Sequence, residues 1–258
     1  MTGSGEQRPS AARVYDYFLG GTHHLAVDRE LAGHLEAMTP DIGATMRANR
    51  AFLQRAVRFL AGRRIRQFLD VGSGIPTAGN VHEIARAEAP GSAVVYVDVD
   101  PVAVEHSREL LAGDDRTAVV LADARDTDRI LAGANGLIDF GQPVAVLFAG
   151  VLHFIPDEDD PAGLVAALRE VTAPGSYLLI SHATADGQPP EVVEAQKLSA
   201  RTGTGIVLRP HAEIASWFDG FPLVEPGLVH IPRWRPEDGP VEDPERFGAY
   251  AGVGFSGA

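Results

Sequence analysis

The sequence predicts an α/β protein built on a doubly wound parallel sheet, and three observations carry that expectation. Between residues 65 and 182, apolar strand runs alternate with amphipathic helical stretches, the pattern of βαβ units. The run Ile65–Val71 breaks into Gly72-Ser73-Gly74, and Pro76-Thr77 opens the next helical pattern, proline being preset for a first helical turn. A second apolar run, Ala93–Val97, closes on Asp98-Val99-Asp100-Pro101, which sets an acid about 20 residues beyond the glycines.

Taken in order, residues 1–10 are polar, without an apolar signal core, and are expected to be a disordered tail. Residues 11–62 are expected to form an N-terminal helical cap. Within it, 11–36 hold a short aromatic helix stopped by Gly20-Gly21 and a second helical piece, too small to form a core alone and read as a lid. From Asp41 to Leu60 runs a long helix with Ile42, Met46, Leu53, Ala56, Val57 and Leu60 on one face and Arg47, Arg50, Gln54 and Arg58 on another. Those arginines suit a solvated face. Alternatively, Arg47 or Arg50 could hold an acid.

Residues 63–258 are expected to be the sheet domain. A helix is expected from Thr77 to Ala87, then the strand ending at Asp98, and a helix from Pro101 to Leu111. Thr117–Ala122 is a third strand closed by Asp123-Ala124, and Pro143–Ala149 a fourth that runs into Gly150-Val-Leu-His-Phe154. The acidic run Asp157–Asp160 precedes Pro161 and a helix, and Tyr177–His182 is a fifth strand. Residues 184–220 are polar and expected to be a helical insertion over the sheet's C-terminal edge. Leu223–Ile231 and Ala249–Phe255 are further strand candidates.

Composition narrows the function. At 258 residues and 45% apolar, the chain suits one large globular domain. No run is long and apolar enough to span a membrane, and zero cysteines remove disulfides and thiolate metal sites. Together with the polar first residues, these features lead to an expectation of a cytoplasmic protein. A net charge of −13 disfavours nucleic acid as a partner, because neutralising phosphates needs a basic surface.

The ligand of the glycine turn is the decisive question. A dinucleotide fingerprint would have a third glycine where this chain has Thr77, and it holds a pyrophosphate at the helix N-terminus. Here Asp70 stands two residues before the first glycine, where its carboxylate would repel a pyrophosphate and suit a cation. S-adenosylmethionine carries an ammonium and a sulfonium and no phosphate. Asp98, ending the second strand, is placed to accept both ribose hydroxyls, whereas Asp100, before a proline at a helix start, reads as an N-cap.

The ordered segments resemble one family closely. Arg13-Val-Tyr-Asp-Tyr-Phe-Leu-Gly-Gly21, Asp28-Arg29, Asn49–Leu53, Gln67–Thr77, Asn80–Glu83, Val95–Asp98, Val151–Phe154, Pro174–Tyr177, Ile180–Ala183 and Val224–Leu228 are similar to segments of an actinobacterial group of S-adenosylmethionine-dependent methyltransferases of unsettled substrate, the DUF574 family. That group falls within the class I, Rossmann-like methyltransferases. The resemblance implies a seven-stranded, mostly parallel sheet with an antiparallel last strand, and S-adenosylmethionine as cofactor. It also implies that Asp70, Gly72, Ser73 and Gly74 line the methionine end, that Asp98 and Val99 meet the ribose, and that Asp123 and Ala124 flank the adenine. Ala149 and Tyr15 are expected along the same cofactor. His24 and Val99 stand where the family often has asparagine.

Methyl transfer is a displacement at a sulfonium carbon, so positioning dominates and a base serves only an acceptor that must lose a proton. His153, just past the fourth strand, is the candidate base, against a reading as a structural histidine. The acids 157–160 are explained by a helix N-terminus, so no metal is expected. The expected activity is methyl transfer to a small-molecule acceptor. The competing readings are a non-catalytic module that senses the cofactor and a nicotinamide oxidoreductase. Titration calorimetry separates these ligands: S-adenosylmethionine or its demethylated product should bind and raise the melting temperature. Binding of NAD alone would contradict the reading.

Overall fold

The computed structural model describes residues 9–76, 79–190, 192–194, 205–237, 239 and 241–257. Its centre is a seven-stranded sheet of β1 (Gln67–Val71), β2 (Ala93–Asp98), β3 (Thr117–Leu121), β4 (Ala145–Ala149), β5 (Tyr177–Ala183), β6 (Val229–His230) and β7 (Ala249–Phe255). The strand order is β3-β2-β1-β4-β5-β7-β6. β1 pairs in parallel with β2 and β4, β2 with β3, and β4 with β5. β7 runs antiparallel to both β5 and β6. The doubly wound expectation and its antiparallel last strand are both met.

Strand periodicity assigns the two faces. Leu69, Val71, Val95 and Val97 point into one core with α6 (Thr127–Ala134), α7 (Pro161–Glu170) and α8 (His211–Ser216). Phe68, Val94 and Tyr96 point into the other, with α3 (Ile42–Gly62) and α4 (Val81–Glu88). Asp70 shares the parity of Phe68 and therefore faces α3. Next to it in register lies Tyr96 of β2. α5 (Pro101–Leu110) packs along β2 and β3.

Four sequence expectations are corrected. The helix after the glycine turn starts at Val81, not Thr77. Pro76 is not helical, and Glu83 reaches back to accept from the Asn80 and Gly79 amides at 2.9 and 3.1 Å, which fixes the start further along. Thr77 itself lies outside the described residues. α3, grouped by sequence with the cap, is instead part of the sheet core through Phe52, Leu53, Ala56, Val57 and Leu60. The strand expected over Leu223–Ile231 shrinks to Val229–His230 and an isolated bridge at Leu223, because Pro226 lacks an amide and Gly227 turns the chain at φ 91°. Of the expected helical insertion, residues 191 and 195–204 lie outside the described residues, 190, 192–194 and α8 are helical as expected, and 205–210 are neither helix nor strand.

What remains of the cap is α1 (Ala11–Phe18) and α2 (Ala26–Met38). Val14, Phe18 and Ala32 form a small cluster closed by Ile42 and Met46 of α3, so this region rests on the first turns of that helix. Residues 1–8 of the expected tail lie outside the described residues. Ser10 is anchored, its amide donating to Asp28 at 2.9 Å.

Phe52 holds α3 on the sheet, its ring edge-on to the fully buried Trp234 at 5.3 Å. Phe52→Ala should lower the unfolding free energy by about 3–5 kcal/mol, read from urea denaturation, since the helix cannot collapse into the space left by a ring.

Candidate functional site

The C-terminal ends of the parallel strands are where an open α/β sheet presents its loops to a ligand. There the glycine turn is pinned to the end of β2 by three successive amides. Gly72 and Ser73 both donate to the Val97 carbonyl, at 2.8 and 3.0 Å, and Gly74 donates to the Asp98 carboxylate at 2.7 Å. Gly72 and Gly74 have φ of 73° and 65°, a region that side chains disfavour. At Gly72 a Cβ would also come within 2.3 Å of Val151.

The two acids after β2 divide as the sequence suggested, with one addition. Asp100 caps α5, accepting from the Val102 amide at 2.9 Å, and also receives the Ser10 hydroxyl at 2.5 Å and Arg13 at 3.4 Å. Asp98 accepts from the Gly74 and Asp100 amides, one on each oxygen, so it braces the turn besides facing the ligand edge. Burial pushes its carboxyl above the usual range, opposed by these amides.

Asp70 is the most perturbed group at this edge. Burial raises its pKa to about 7, Arg50 opposes the rise, and Asp98 adds to it. No hydrogen bond supports its carboxylate among the described residues. Arg50 stacks its guanidinium over the Tyr15 ring, 5.5 Å from the centroid, and its buried Nε has no hydrogen-bond partner. Arg47 donates instead to the Phe18 carbonyl at 3.3 Å, so the two arginines that could hold an acid have separate fates.

Tyr15 donates its hydroxyl to the Met46 carbonyl and accepts from Asn49, both at 3.1 Å. Asn49 accepts in turn from the Ser181 hydroxyl at 2.6 Å. This buried chain ties α1, through α3, to the end of β5. Sequence reasoning placed Tyr15 here but missed the roles of Asn49 and Ser181, which sit in quoted segments without any short-range pattern of their own. α1 is held in place from its other side by Asp28, which receives the Arg13 guanidinium and the Leu25 and Ser10 amides at 2.7–2.9 Å. Gly20-Gly21, which stop the short helix, form a turn wound on Asp16: a Cβ at Gly21 would overlap that carboxylate.

His153 lies on a short 3-10 turn, Leu152–Phe154, after β4. Its Nδ1 is buried without a partner, and a Cβ on Gly150 would meet both its Cε1 and the Asn49 amide. Burial, with His182 and Arg209 adding to it, lowers its pKa to about 3. At the far end of the edge, Asp123 accepts from Arg125 at 2.5 and 2.9 Å, Arg125 also reaches Asp159 at 2.6 Å, and Ala124 packs on the core. Val99 is 61% exposed beside Asp98, and Ala149 ends β4 opposite Ser181. The structure thus brings Tyr15, Asp70, Gly72–Gly74 and Asp98 into one group, sets His153 next to it, and leaves Asp123 and Ala124 at the outer end.

A family profile described as S-adenosyl methyltransferase matches residues 5–257. Among solved structures, the chain is similar to a candidate methyltransferase from Thermobifida fusca YX, with 40% identity over 97% of this chain and 96% of the other and a TM-score of 0.91. A DUF574 family protein from Streptomyces avermitilis MA-4680 is 40% identical over 96% and 97% of the two chains, with a TM-score of 0.90. The N-methyltransferase NodS from Bradyrhizobium japonicum WM9, in complex with S-adenosyl-L-homocysteine, shares the fold at a TM-score of 0.53 and 14% identity, over 94% and 98% of the chains. No curated protein matches. The chain belongs to the S-adenosyl methyltransferase family and is an S-adenosylmethionine-dependent methyltransferase of class I fold.

Proposed function

We propose that the protein methylates a small-molecule acceptor bound between α1 and the turn that follows β4. The observation that carries the cofactor end of this reading is the proximity of Asp70, a buried carboxylate without a hydrogen bond, to Arg50, whose buried Nε has no hydrogen-bond partner. Their chemistry fits the ammonium and carboxylate of a methionine moiety. When bound, S-adenosylmethionine supplies a methyl group on a sulfonium sulfur.

The chain's own groups have these roles in the proposal. Asp70 takes the ammonium, Arg50 directs its free Nε at the carboxylate, and the bare backbone of Gly72–Gly74, with Ser73, allows close approach. Tyr15 holds Arg50 by its ring face. Asp98 presents its carboxylate to the ribose hydroxyls. Val99 and Ala149 supply apolar contact, and Asp123 and Ala124 border the adenine. His153 stands on the acceptor side. Neutral and weakly basic, it accepts a hydrogen bond from the acceptor rather than stripping its proton, which suits an atom that is nucleophilic at neutral pH without a base. The net charge of −13 and the cover from α1 and residues 205–210 support a small molecule over a nucleic acid.

The charge pair sets a pH dependence. Asp70 must be ionised to hold an ammonium, so cofactor affinity should fall about tenfold per pH unit below 7, and fall again above about 8 as the ligand's own α-ammonium loses its proton. Binding at pH 7 should release protons, measurable by calorimetry in two buffers of different ionisation heat. In Asp70→Asn the proton release should vanish.

Asp98→Ala should weaken cofactor binding by about 1.5–3 kcal/mol, the range for charged hydrogen bonds, and it should also lower the melting temperature, because Gly74 and Asp100 lose their acceptor. A loss of stability with affinity intact would make Asp98 a brace alone. The acceptor is sought by incubating metabolite pools with methyl-labelled cofactor. Label appearing only in nucleic acid or protein would overturn the small-molecule reading.

A further inference from the structure

Arg209 belongs to the stretch 205–210, which is neither helix nor strand, and is only 1% exposed. Both terminal nitrogens of its guanidinium are hydrogen-bonded, while the buried Nε is ion-paired without a hydrogen bond. Nη1 donates to the Leu152 carbonyl at 3.3 Å and lies 3.1 Å from His182 Nε2. Nη2 donates to the Ile155 carbonyl at 2.9 Å and pairs with the Asp157 carboxylate. Nε forms an ion pair with Glu213 at 2.9 Å, and the guanidinium lies over the Trp217 ring, 5.3 Å from its centroid.

Two features of this arrangement concern His153. The carbonyls held by the guanidinium belong to residues 152 and 155, which bracket His153, and the Val207 amide donates to the His153 carbonyl itself at 2.7 Å. Beside it, His182 Nδ1 lies 2.7 Å from the Ala183 carbonyl, which can only accept. The proton is therefore on Nδ1, and Nε2 is left to accept from Arg209. The two imidazoles meet edge to face at 5.6 Å. A buried cation is kept only where its charge is compensated, and the flat fork meets two carbonyls, an imidazole and the Asp157 carboxylate by hydrogen bonds, with the Glu213 carboxylate beside Nε. A lysine, with three donors on a point charge, could not.

We propose that Arg209 is the positioning residue of the acceptor side: its fork holds the turn at 152–155 and the His182 ring as one unit, and so fixes how His153 faces the methyl acceptor. This rests on the reading of His153 given above. The cationic and titratable groups around the two rings are Arg209 itself, the other histidine, and Asp157 and Glu213 beyond the guanidinium. Burial is the main cause that keeps both imidazoles neutral, with His182 lowered to about 4.

The test needs no acceptor. Histidine ¹⁵N spectra of the full-length protein saturated with S-adenosylhomocysteine are compared in wild type, Arg209→Lys and Asp157→Asn, with signals assigned through His153→Gln and His182→Gln. In wild type, His182 should show the Nδ1–H form and His153 should stay neutral at pH 6. Arg209→Lys should shift the signals of both rings, while S-adenosylhomocysteine affinity stays within about twofold. Asp157→Asn, which removes only an exposed partner, should shift the same signals less, and it reports even if the lysine variant fails to fold. Unmoved His153 signals in both variants would overturn the proposal. So would a loss of affinity in step with melting temperature, which would make Arg209 a brace for the whole edge. Wild-type protein that does not bind S-adenosylhomocysteine would overturn the reading of the cofactor site instead.

Discussion

A carboxylate buried on the central strand without a hydrogen-bond donor is the constraint around which this edge of the molecule is arranged. Asp70 lies between β2 and β4, and strand parity turns it toward α3. An unpaired charge in such a place is strongly disfavoured, and the group responds by rising to a pKa of about 7 with Arg50 as its nearest compensation. Arg50 must then be presented by α3 at that level, and it is held there by the ring of Tyr15. Tyr15 is in turn fixed by Asn49, one residue before Arg50, which also takes the Ser181 hydroxyl. A single buried acid thus dictates where α1 lies and joins it to β5.

The fold and the cofactor end were legible because both are written locally. Apolar runs alternating with helical stretches gave the sheet, and Asp70, the glycines and Asp98 lie within 29 residues of sequence, Asp70 to Asp98 inclusive. Errors arose where one local signal outweighed another. Pro76 looked like a helix start, but the Glu83 carboxylate sets it at Val81. Leu223–Ile231 looked like a strand, but Pro226 and Gly227 interrupt it. α3 was grouped with its neighbours in sequence, although its apolar face belongs to the sheet. Asp98 looked free for a ligand because no spacing rule shows that the Gly74 amide would fold back onto it.

The acceptor side was barely legible, for a physical reason. A cofactor held by backbone and strand-end acids leaves a short motif. The surroundings of His153 are instead assembled from α3, the ends of β4 and β5, and the stretch before α8. Asn49, Ser181 and Arg209 bring their polar atoms together from positions spread over more than a hundred residues of chain. Residue types alone cannot announce such a network, since an isolated arginine in a polar segment has the same appearance as a solvated one. Family membership and substrate identity therefore separate: the first is carried by contiguous residues, the second by long-range contacts.

The acidic run 157–160 shows how the two sides are connected. Read from sequence it was a surplus of negative charge before a helix. In the structure Asp160 caps α7 by accepting from Gly163 at 3.0 Å, Asp159 receives Arg125, and Asp157 receives Arg209. Arg125 also holds Asp123 after β3, and Arg209 holds His182 at the end of β5. An arc of ion pairs thus crosses the C-terminal ends of β3, β4 and β5, from the expected adenine border to the histidines. The exposed Arg125 pairs contribute little stability individually, at most about 1 kcal/mol. What the arc supplies is register: Arg209 holds the turn bearing His153 by its carbonyls, and Arg125 ties the acidic run that follows that turn to Asp123 at the end of β3.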